Sequence, residues 1–564
     1  MRSWVTIAAL GATTALAQVP VTGRVVDAVT GKPLPYCTVA RVGGPHGTIT
    51  NDDGGFRITL DSTDSLRFSF VGYTSRTLSF HALADGKDVR LHEAVITLGE
   101  AVVRPDDELL ERVIRVGKWI RRAPVVNARL FFGVETFSQG LPVEMIHAYY
   151  NAVNKGGALL ELGLKNGRIG IAPRNGRFFV NYNTTKAFAL IDITAEESPF
   201  PVSPLKHRSV RLLKKGFSVE LVSLAAAPDG VDHLRVLPRT NNPNAFVADL
   251  WLEPGGDAVR ALELRCRNCP RHPFRPLFEH GRIDTVDLRY KQHWSTGPDP
   301  TPHVMQLDYR MVYSGPDANE TFSTHALMHT YDRTSTFTLP LFDHAPELPD
   351  YRKIGWLPTD TLFWQRVQAP LPSARQQRDM DFLRMNDLNT GDWYEDLDNP
   401  RSFFKPPYAI WSAEHRLRIS DLGSATVPAP PVTDVKPDHT VLYAQFYLDL
   451  DTVNGALLHR SFSVADGYRT LVPRERFPWT DCFHNIWFDL CEMERRELET
   501  ELGKPGMTPA RAQLLYTRHT QAMQRMTQRL LLETGHGTRC EPLYRWNAVV
   551  KEALGIDNIA LFGM

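Results

Sequence analysis

The sequence predicts a mainly β, multidomain protein that is α+β overall, with a β-sandwich first, a second β-rich domain next and a helical unit last. Length is the first observation, because 564 residues exceed what one hydrophobic core ordinarily organises. Composition is the second: 43% apolar residues suffice for several cores, and 40 prolines with 38 glycines indicate many turns. The third is an equal number of basic and acidic residues, 64 each, which argues against a nucleic-acid binder.

Residues 1–17 have the pattern of a signal peptide. Arg2 supplies a positive start, residues 5–16 are apolar or small, and Ala15-Leu16-Ala17 has the small-x-small form that a signal peptidase cleaves. We therefore expect an exported protein whose mature chain begins at Gln18. No other apolar run reaches the roughly 18 residues of a transmembrane helix, so we expect the mature protein to be soluble or peripherally held.

Residues 18–104 alternate short apolar segments with turn residues. Thr30-Gly31 separates two predicted strands, and residues 51–55 predict a hairpin because Asn, Asp and Gly adopt the backbone angles of tight turns. In the segment 65–80 apolar residues recur at every second position, which is typical of a half-buried strand. We therefore predict a seven-stranded β-sandwich.

This segment contains five blocks of residues: 23–27, 30–35, 38–39, 47–56 and 66–73. In their order and spacing they resemble the carboxypeptidase regulatory-like domain of Bacteroidetes envelope proteins. The resemblance implies a transthyretin-like sandwich that serves as a folding and docking module without catalysis of its own. Asn51 departs from the aspartate that is more usual at its position.

The rest of the chain divides into four predicted parts. Residues 105–123 predict a linking helix, since apolar residues recur on one face from Leu109 to Ile120. Residues 124–345 predict a larger antiparallel sheet domain, because many segments carry β-branched or aromatic residues near every second position. Residues 346–440 predict an irregular, proline-rich linker. Residues 441–564 predict one strand at 442–451, followed only by helices, with Asp481 as a cap and a helix between Thr508 and Gly535.

Six cysteines in an exported chain meet an oxidising compartment. Cys266 and Cys269 form a CxxC motif, which we interpret as a local disulfide or two free thiols. A zinc ribbon needs a second CxxC, and His272 is the only further ligand nearby. The pairing of the other four cannot be read from sequence, although one helical pair could staple two helices: Cys37, Cys482, Cys491 and Cys540.

Three other patterns suggest metal sites, and we favour a structural interpretation for each. His344-Ala345-Pro346-Glu347 matches HxxE with His459 downstream, but prolines crowd the motif and no catalytic α/β sheet surrounds it. His484, Asp489 and Glu492 lie on one predicted helix, with His519 on the next as a possible fourth ligand. Residues 51–54 lack the spacing of a calcium loop. No catalytic, cofactor-binding or metal residue is therefore assigned.

We expect an exported, non-catalytic binding or scaffolding protein of the bacterial cell envelope, in the periplasm, at the outer membrane or on the cell surface. Its expected partners are envelope proteins or glycans, and we expect no nucleic acid and no cofactor. This expectation depends largely on the family resemblance, and fold analogy alone is a weak basis for function. The alternatives are a metal-dependent hydrolase and an outer-membrane transport-associated component.

Overall fold

The computed structural model describes most of the chain that follows the predicted signal peptide. Four predictions lie outside the described residues: the signal peptide itself, one predicted strand of the middle domain at 176–182, the HxxE motif at 344–347 and the proline-rich run at 424–437. The described residues are 19–44, 47–84, 88–94, 106–172, 184–225, 230–240, 242, 244–275, 281–295, 301–315, 319–333, 350–358, 360, 363–364, 370–385, 408–418, 441–453, 456–467, 469–470 and 477–564.

The front of the chain folds into two small sheets that share one core. Their elements are β1 (Val19–Asp27), β2 (Thr38–Arg41), β3 (Gly47–Ile49), β4 (Gly55–Leu60), β5 (Ser65–Ser69), β6 (Arg76–Ser79), α1 (Phe80–Ala84) and β7 (Val89–Leu91). One sheet has the order β4-β1-β7 and the other β3-β2-β5-β6. Phe56 and Phe68, one from each sheet, are fully buried and meet edge to face with ring centroids 5.4 Å apart.

The turn at residues 51–55 is tight, but the predicted hairpin is wrong. Asn51 Oδ1 accepts hydrogen bonds from the backbone N–H groups of Asp53 and Gly55, at 3.0 and 2.8 Å. Gly54 has φ +75°, where a side chain would be strained. The flanking strands do not pair, because β3 pairs with β2 and β4 pairs with β1. The turn residues specify a reversal of the chain, whereas the strand partners are chosen by the two-sheet core.

The middle of the chain forms one antiparallel sheet of ten strands, in agreement with the predicted larger sheet domain. Its order is β10-β9-β8-β17-β16-β15-β14-β13-β12-β11. Every neighbouring pair is antiparallel, so the side chains alternate between two faces along each strand. The strands are β8 (Val125–Ser138), β9 (Leu141–Lys155), β10 (Ala158–Ile171), β11 (Phe217–Ser223), β12 (Asp232–Pro238), β13 (Val247–Leu252), β14 (Val259–Cys266), β15 (Arg282–His293), β16 (Val304–Ser314) and β17 (Asn319–Asp332).

Helices cover one face of this sheet. They are α2 (Asp106–Arg121), α3 (Thr184–Leu190) and α4 (Val210–Gly216). The predicted linking helix is α2, and its apolar residues join the core of the large sheet instead of spanning a gap between domains. The buried Arg112 of α2 forms an ion pair with Asp232 at 2.8 Å and donates hydrogen bonds to the carbonyl oxygens of Glu253 and Gly256. The helix is thereby fixed against the edge of the sheet.

The end of the chain combines a small sheet with helices. Its elements are β18 (Tyr408–Ile410), β19 (Ala444–Val453), β20 (Ala456–Asp466), α7 (Thr480–Leu502), α8 (Pro509–Thr534), α9 (Glu541–Leu554) and α10 (Asn558–Leu561). The prediction that only helices follow the first strand is wrong, because β20 pairs with β19 along its whole length. The predicted cap at Asp481 is also wrong, since α7 begins one residue earlier. None of the helices within the described residues is long and apolar enough to cross a membrane.

The predicted linker contains ordered structure. Besides β18, residues 346–440 include α5 (Asp350–Trp356) and α6 (Ala374–Met385), so an irregular linker is too simple a description. Trp356 is buried in the core of the large sheet. Leu383 of α6 is buried against Met145 and Ala172. These helices escape sequence analysis because they are short and bury few residues, and tertiary packing stabilises such helices more than their own periodicity does.

A buried ionic cluster joins the large sheet to the β19–β20 hairpin. Lys165 lies at a bulge in β10, and its side chain has no solvent-exposed surface. Its ammonium group is 2.8 Å from Asp449 and 3.8 Å from Asp451. Arg129 on β8 is 2.7 Å from Asp451 and 3.5 Å from Asp332. The cluster places cations of the sheet against carboxylates of the hairpin, so it connects the middle and the end of the chain.

Replacing the buried lysine should destabilise the protein strongly. Lys165→Met leaves Asp449 as a buried carboxylate without its cation, and breaking such a pair costs about 3–5 kcal/mol. We expect a lower midpoint of urea unfolding, followed by circular dichroism. Lys155→Met, at an exposed position of β9, is the matched control and should leave the midpoint nearly unchanged. Equal midpoints for the two variants would contradict the assigned role of the cluster.

Candidate functional site: a cavity between the sandwich and the large sheet

A cavity of about 460 Å³ lies where three distant parts of the chain meet. The sandwich contributes Tyr36 and residues 49–52, the sheet contributes strands β8, β9, β16 and β17, and the segment 370–376 closes a further side. The cavity occupies the sheet face opposite to α2 and α3. It is therefore a tertiary feature, and no single sequence segment builds it.

The sheet wall of the cavity carries a row of titratable side chains. Glu135 on β8, His325 on β17 and Asp308 on β16 are direct cross-strand partners, so their side chains project from the same face. His325 Nδ1 is 3.1 Å from Asp308 Oδ1. Two residues before Glu135 on β8, Gly133 pairs with Leu327 of β17 and His147 of β9. Gly133 has no side chain, and it lines the sheet side of the cavity, which we call its floor.

Arg375 of α6 connects the three walls. Its guanidinium group is 2.8 Å from Glu135 of the sheet and 2.9 Å from Asp52 of the sandwich turn. It also lies over the ring of Phe137, 5.5 Å from the centroid. The backbone N–H of Ala374 donates a hydrogen bond of 2.7 Å to Asp53. The start of α6 is thus fixed to the sandwich turn, and α6 covers the cavity.

The protonation of the cavity side chains follows from their neighbours. The hydrogen bond with Asp308 raises the pKa of His325. Burial lowers the pKa of His147 to about 3, and the neighbouring Arg168 adds to this effect, so His147 is neutral at pH 7. Burial and Asp52 raise the pKa of Tyr36, whose hydroxyl donates a hydrogen bond of 2.9 Å to Asp52. The walls therefore combine neutral donors, carboxylates and one guanidinium group.

Sequence reasoning found only one part of this site. It singled out residues 51–54, and the structure explains why their carboxylates do not form a calcium loop: Asp52 and Asp53 bind Arg375 and the start of α6. Glu135, Asp308, His325 and Arg375 were not singled out. One signal was available in the sequence, since Glu135 is a charged residue within a predicted strand at 128–137; the structure shows that its side chain is buried.

The four residues considered for a helical metal site do not converge. His484 Nδ1 is bonded to the carbonyl of Thr480, and Glu492 binds Arg495, Arg496 and Ser463. Asp489 accepts hydrogen bonds from Arg416, Trp411 and Asn558. His519 faces Glu494 instead, at 2.8 Å. The sequence correctly placed His484, Asp489 and Glu492 on one helix. It could not predict that each of them contacts a different set of neighbours.

The remaining candidates are the cysteines and the other histidines considered as metal ligands. Cys266 and Cys269 form a disulfide bond, which is the first of the two states that the sequence left open, and Cys37, Cys482, Cys491 and Cys540 carry free thiols. His272 lies beside Phe274, with ring centroids 5.9 Å apart. The HxxE motif at 344–347 lies outside the described residues. His459 is 3.0 Å from Glu499 of α7.

The comparisons with known proteins define the front of the chain. Residues 21–103 match the family model described as "CarboxypepD_reg-like domain", so the chain carries such a domain. It forms the sandwich wall of the cavity. No curated protein matches the chain.

Solved structures of MucB are similar to parts of the chain. "The complex structure of Pseudomonas aeruginosa MucA/MucB" is 10% identical, covers 39% of this chain and 93% of its own, and has a TM-score of 0.14. A crystal structure of MucB is 10% identical, with 40% and 93% coverage and a TM-score of 0.15. MucB in complex with MucA(peri) is 11% identical, with 39% and 92% coverage and a TM-score of 0.14. At these TM-scores the likeness supports neither a fold nor a function.

The bond between His325 and Asp308 predicts a pH dependence. A histidine whose pKa is raised in the folded state stabilises it below the unfolded value of about 6.5, and the effect disappears as the pH rises through the folded pKa. Asp308→Asn should therefore lower the pKa of His325 and reduce the urea midpoint more at pH 6 than at pH 9. The pKa is measured by NMR titration of histidine-labelled protein, in which His325→Gln identifies the signal. An unchanged titration in Asp308→Asn would argue against the assigned cause.

Proposed function

We propose that the protein is an exported, non-catalytic binding protein of the bacterial cell envelope whose ligand occupies the cavity between the sandwich and the large sheet. The observation that carries the proposal is the construction of this cavity from three separate parts of the chain. Its volume of about 460 Å³ lies within the roughly 300–1,000 Å³ typical of ligand sites. The CarboxypepD_reg-like domain then acts as a wall of the binding site.

The lining favours a neutral polyhydroxylated ligand, such as a segment of a glycan. Asp52, Glu135 and Asp308 offer carboxylate oxygens that accept hydrogen bonds from hydroxyl groups. Only Arg375 supplies a permanent positive charge among the described lining residues, so an anionic ligand would meet an excess of carboxylates. Phe131 and Phe137 add aromatic surface for the apolar faces of a sugar ring.

A binding role also agrees with how the acidic groups are held. Glu135 is fixed by Arg375 and Gln376, and Asp308 is bonded to His325. Thr50 also lines the cavity, and its hydroxyl donates to the carbonyl of Leu34 and accepts from the N–H of Cys37. These groups are engaged in maintaining the walls, which is the arrangement expected of a preorganised binding site.

Export and envelope location are part of the same proposal. They are supported by the signal-peptide pattern at residues 1–17 and by the resemblance of the front domain to those of envelope proteins. The seven-stranded transthyretin-like form of that domain and a Bacteroidetes origin belong to the proposal as well. Expression with residues 1–17 intact, followed by fractionation of the cells, tests export directly.

A larger side chain at the floor of the cavity should weaken ligand binding without unfolding the protein. We expect the chain from Gln18 onward to bind members of a glycan array that spans neutral, amino and acidic oligosaccharides, with a preference for the neutral ones. Gly133→Val should weaken that binding at least tenfold, measured by calorimetry, because a Cβ at Gly133 lies 3.2 Å from the ring of Phe131 and the larger side chain must displace that ring or occupy the floor of the cavity. Gly355→Val is the control, since a Cβ at Gly355 meets no atom within 4 Å.

A second pair of variants tests the wall that α6 contributes. Arg375→Ala removes the link between Asp52 and Glu135 and should weaken binding, whereas Arg378→Ala changes an exposed arginine of the same helix and should not. Binding that is equal in all four variants would place the ligand elsewhere. An array without any bound glycan would contradict the proposed ligand class.

A further inference from the structure

Helices α7 and α8 form a packed pair connected by a six-residue loop at residues 503–508. Buried Leu498 and Leu515 contribute to the shared core of this unit. Polar side chains lie beside this apolar seam, and neither helix contributes to the described lining of the cavity. This pair of helices therefore offers a site that shares no side chain with the proposed binding site.

Three groups that ligate metal ions converge between the two helices. A carboxylate oxygen of Glu494, a carboxylate oxygen of Glu497 and a ring nitrogen of His519 all lie within 4.8 Å of one another. Glu494 and Glu497 are three residues apart on α7, which places them on one face of that helix. His519 comes from α8, so the set bridges the two helices.

The distances suit a transition-metal ion after a small adjustment. His519 Nδ1 and Glu494 Oε2 are 2.8 Å apart. A tetrahedral zinc ion with bonds of about 2.0–2.2 Å separates its ligands by roughly 3.3–3.5 Å. To bind zinc, His519 Nδ1 and Glu494 Oε2 must therefore move slightly apart, and the most distant pair of ligand atoms must come closer together. Glu497 is exposed and free to choose its rotamer, so it can make the larger part of this movement.

The surroundings also orient the imidazole ring. Glu501 lies 3.6 Å from Nε2 of His519, on the ring edge opposite to Nδ1. When Nδ1 binds a metal, the ring carries its proton on Nε2, and a carboxylate on that side can accept a hydrogen bond from this N–H group, as outer-shell carboxylates of metal sites commonly do. Arg518 is bonded to Glu501 and donates a hydrogen bond of 3.0 Å to Nε2, so the ring without a metal carries its proton on Nδ1, which faces Glu494. Metal binding at Nδ1 requires the other tautomer, with the proton on Nε2 and Arg518 turned aside.

We infer that Glu494, Glu497 and His519 bind a divalent first-row transition metal ion, best represented by Zn²⁺, which clamps α7 to α8. One imidazole and two carboxylates match the mixed ligand sets of such ions, whereas Ca²⁺ requires six to eight oxygen ligands. The side chain of His519 is 5% exposed, so the ion would be held at the boundary between the core and the solvent. The function of the clamp is to stabilise the helical unit.

The test is Zn²⁺ binding to the full mature chain, freed of any affinity tag and stripped of metal with a chelator. We expect one equivalent of Zn²⁺ by calorimetry and by elemental analysis after gel filtration, together with a rise in melting temperature. Glu497→Gln and His519→Gln should each weaken the affinity at least tenfold and remove the rise. Glu497 is exposed, so that variant keeps its fold even if His519→Gln does not.

Two controls separate the site from adventitious binding. His415→Gln removes an exposed histidine outside the site and should retain full affinity. Co²⁺ in place of Zn²⁺ should give a visible absorption band that is lost in Glu497→Gln. Absence of stoichiometric Zn²⁺ binding, or binding that is unchanged in Glu497→Gln, would overturn the inference.

Discussion

The buried charge of Lys165 is the constraint on which the rest of the architecture depends. A bulge in β10 directs this side chain away from the regular ladder, and its ammonium group has no access to water. The charge is tolerable only because Asp449 lies at 2.8 Å, and Asp449 belongs to the end of the chain. The hydroxyl of Tyr447 and the guanidinium group of Arg460 donate to the carbonyl oxygens exposed by the bulge. The β19–β20 hairpin therefore supplies both the carboxylate that neutralises Lys165 and the donors that satisfy the carbonyl groups at the bulge.

The same constraint explains why the two faces of the large sheet differ. Along β8, Leu130, Phe132 and Val134 join the core beneath the helices, whereas Arg129 and Glu135 point to the other face. A polar face is stable under other parts of the chain only where each charged group finds a partner. The sandwich, α6 and the hairpin supply those partners. The cavity is a volume that these parts leave unfilled.

Features that depend on a local pattern could be predicted from this sequence, whereas contacts between distant segments could not. Alternation of apolar residues predicted the large antiparallel sheet and the face that α2 buries, because each depends on a local period. The turn at residues 51–55 was recognised, but its strands belong to different sheets, and strand pairing depends on the whole core. The strand β20 was missed although Asn454-Gly455, between two strand-like segments, is a strong hairpin signal. Arg375 could not be predicted to meet Asp52, since nothing local relates residues separated by more than three hundred positions.

The attachment of α6 to the sandwich turn changes how the front domain should be regarded in evolution. Small sandwiches of this kind are naturally treated as interchangeable modules, joined to whatever follows them. Here Asp52 and Asp53 bind a helix that begins at Ala374, after the whole large sheet. A recombination event that exchanged the front domain alone would separate these acidic residues from their partners. Exchange of the front domain alone would therefore preserve these contacts only if the new domain also carried acidic residues in this turn.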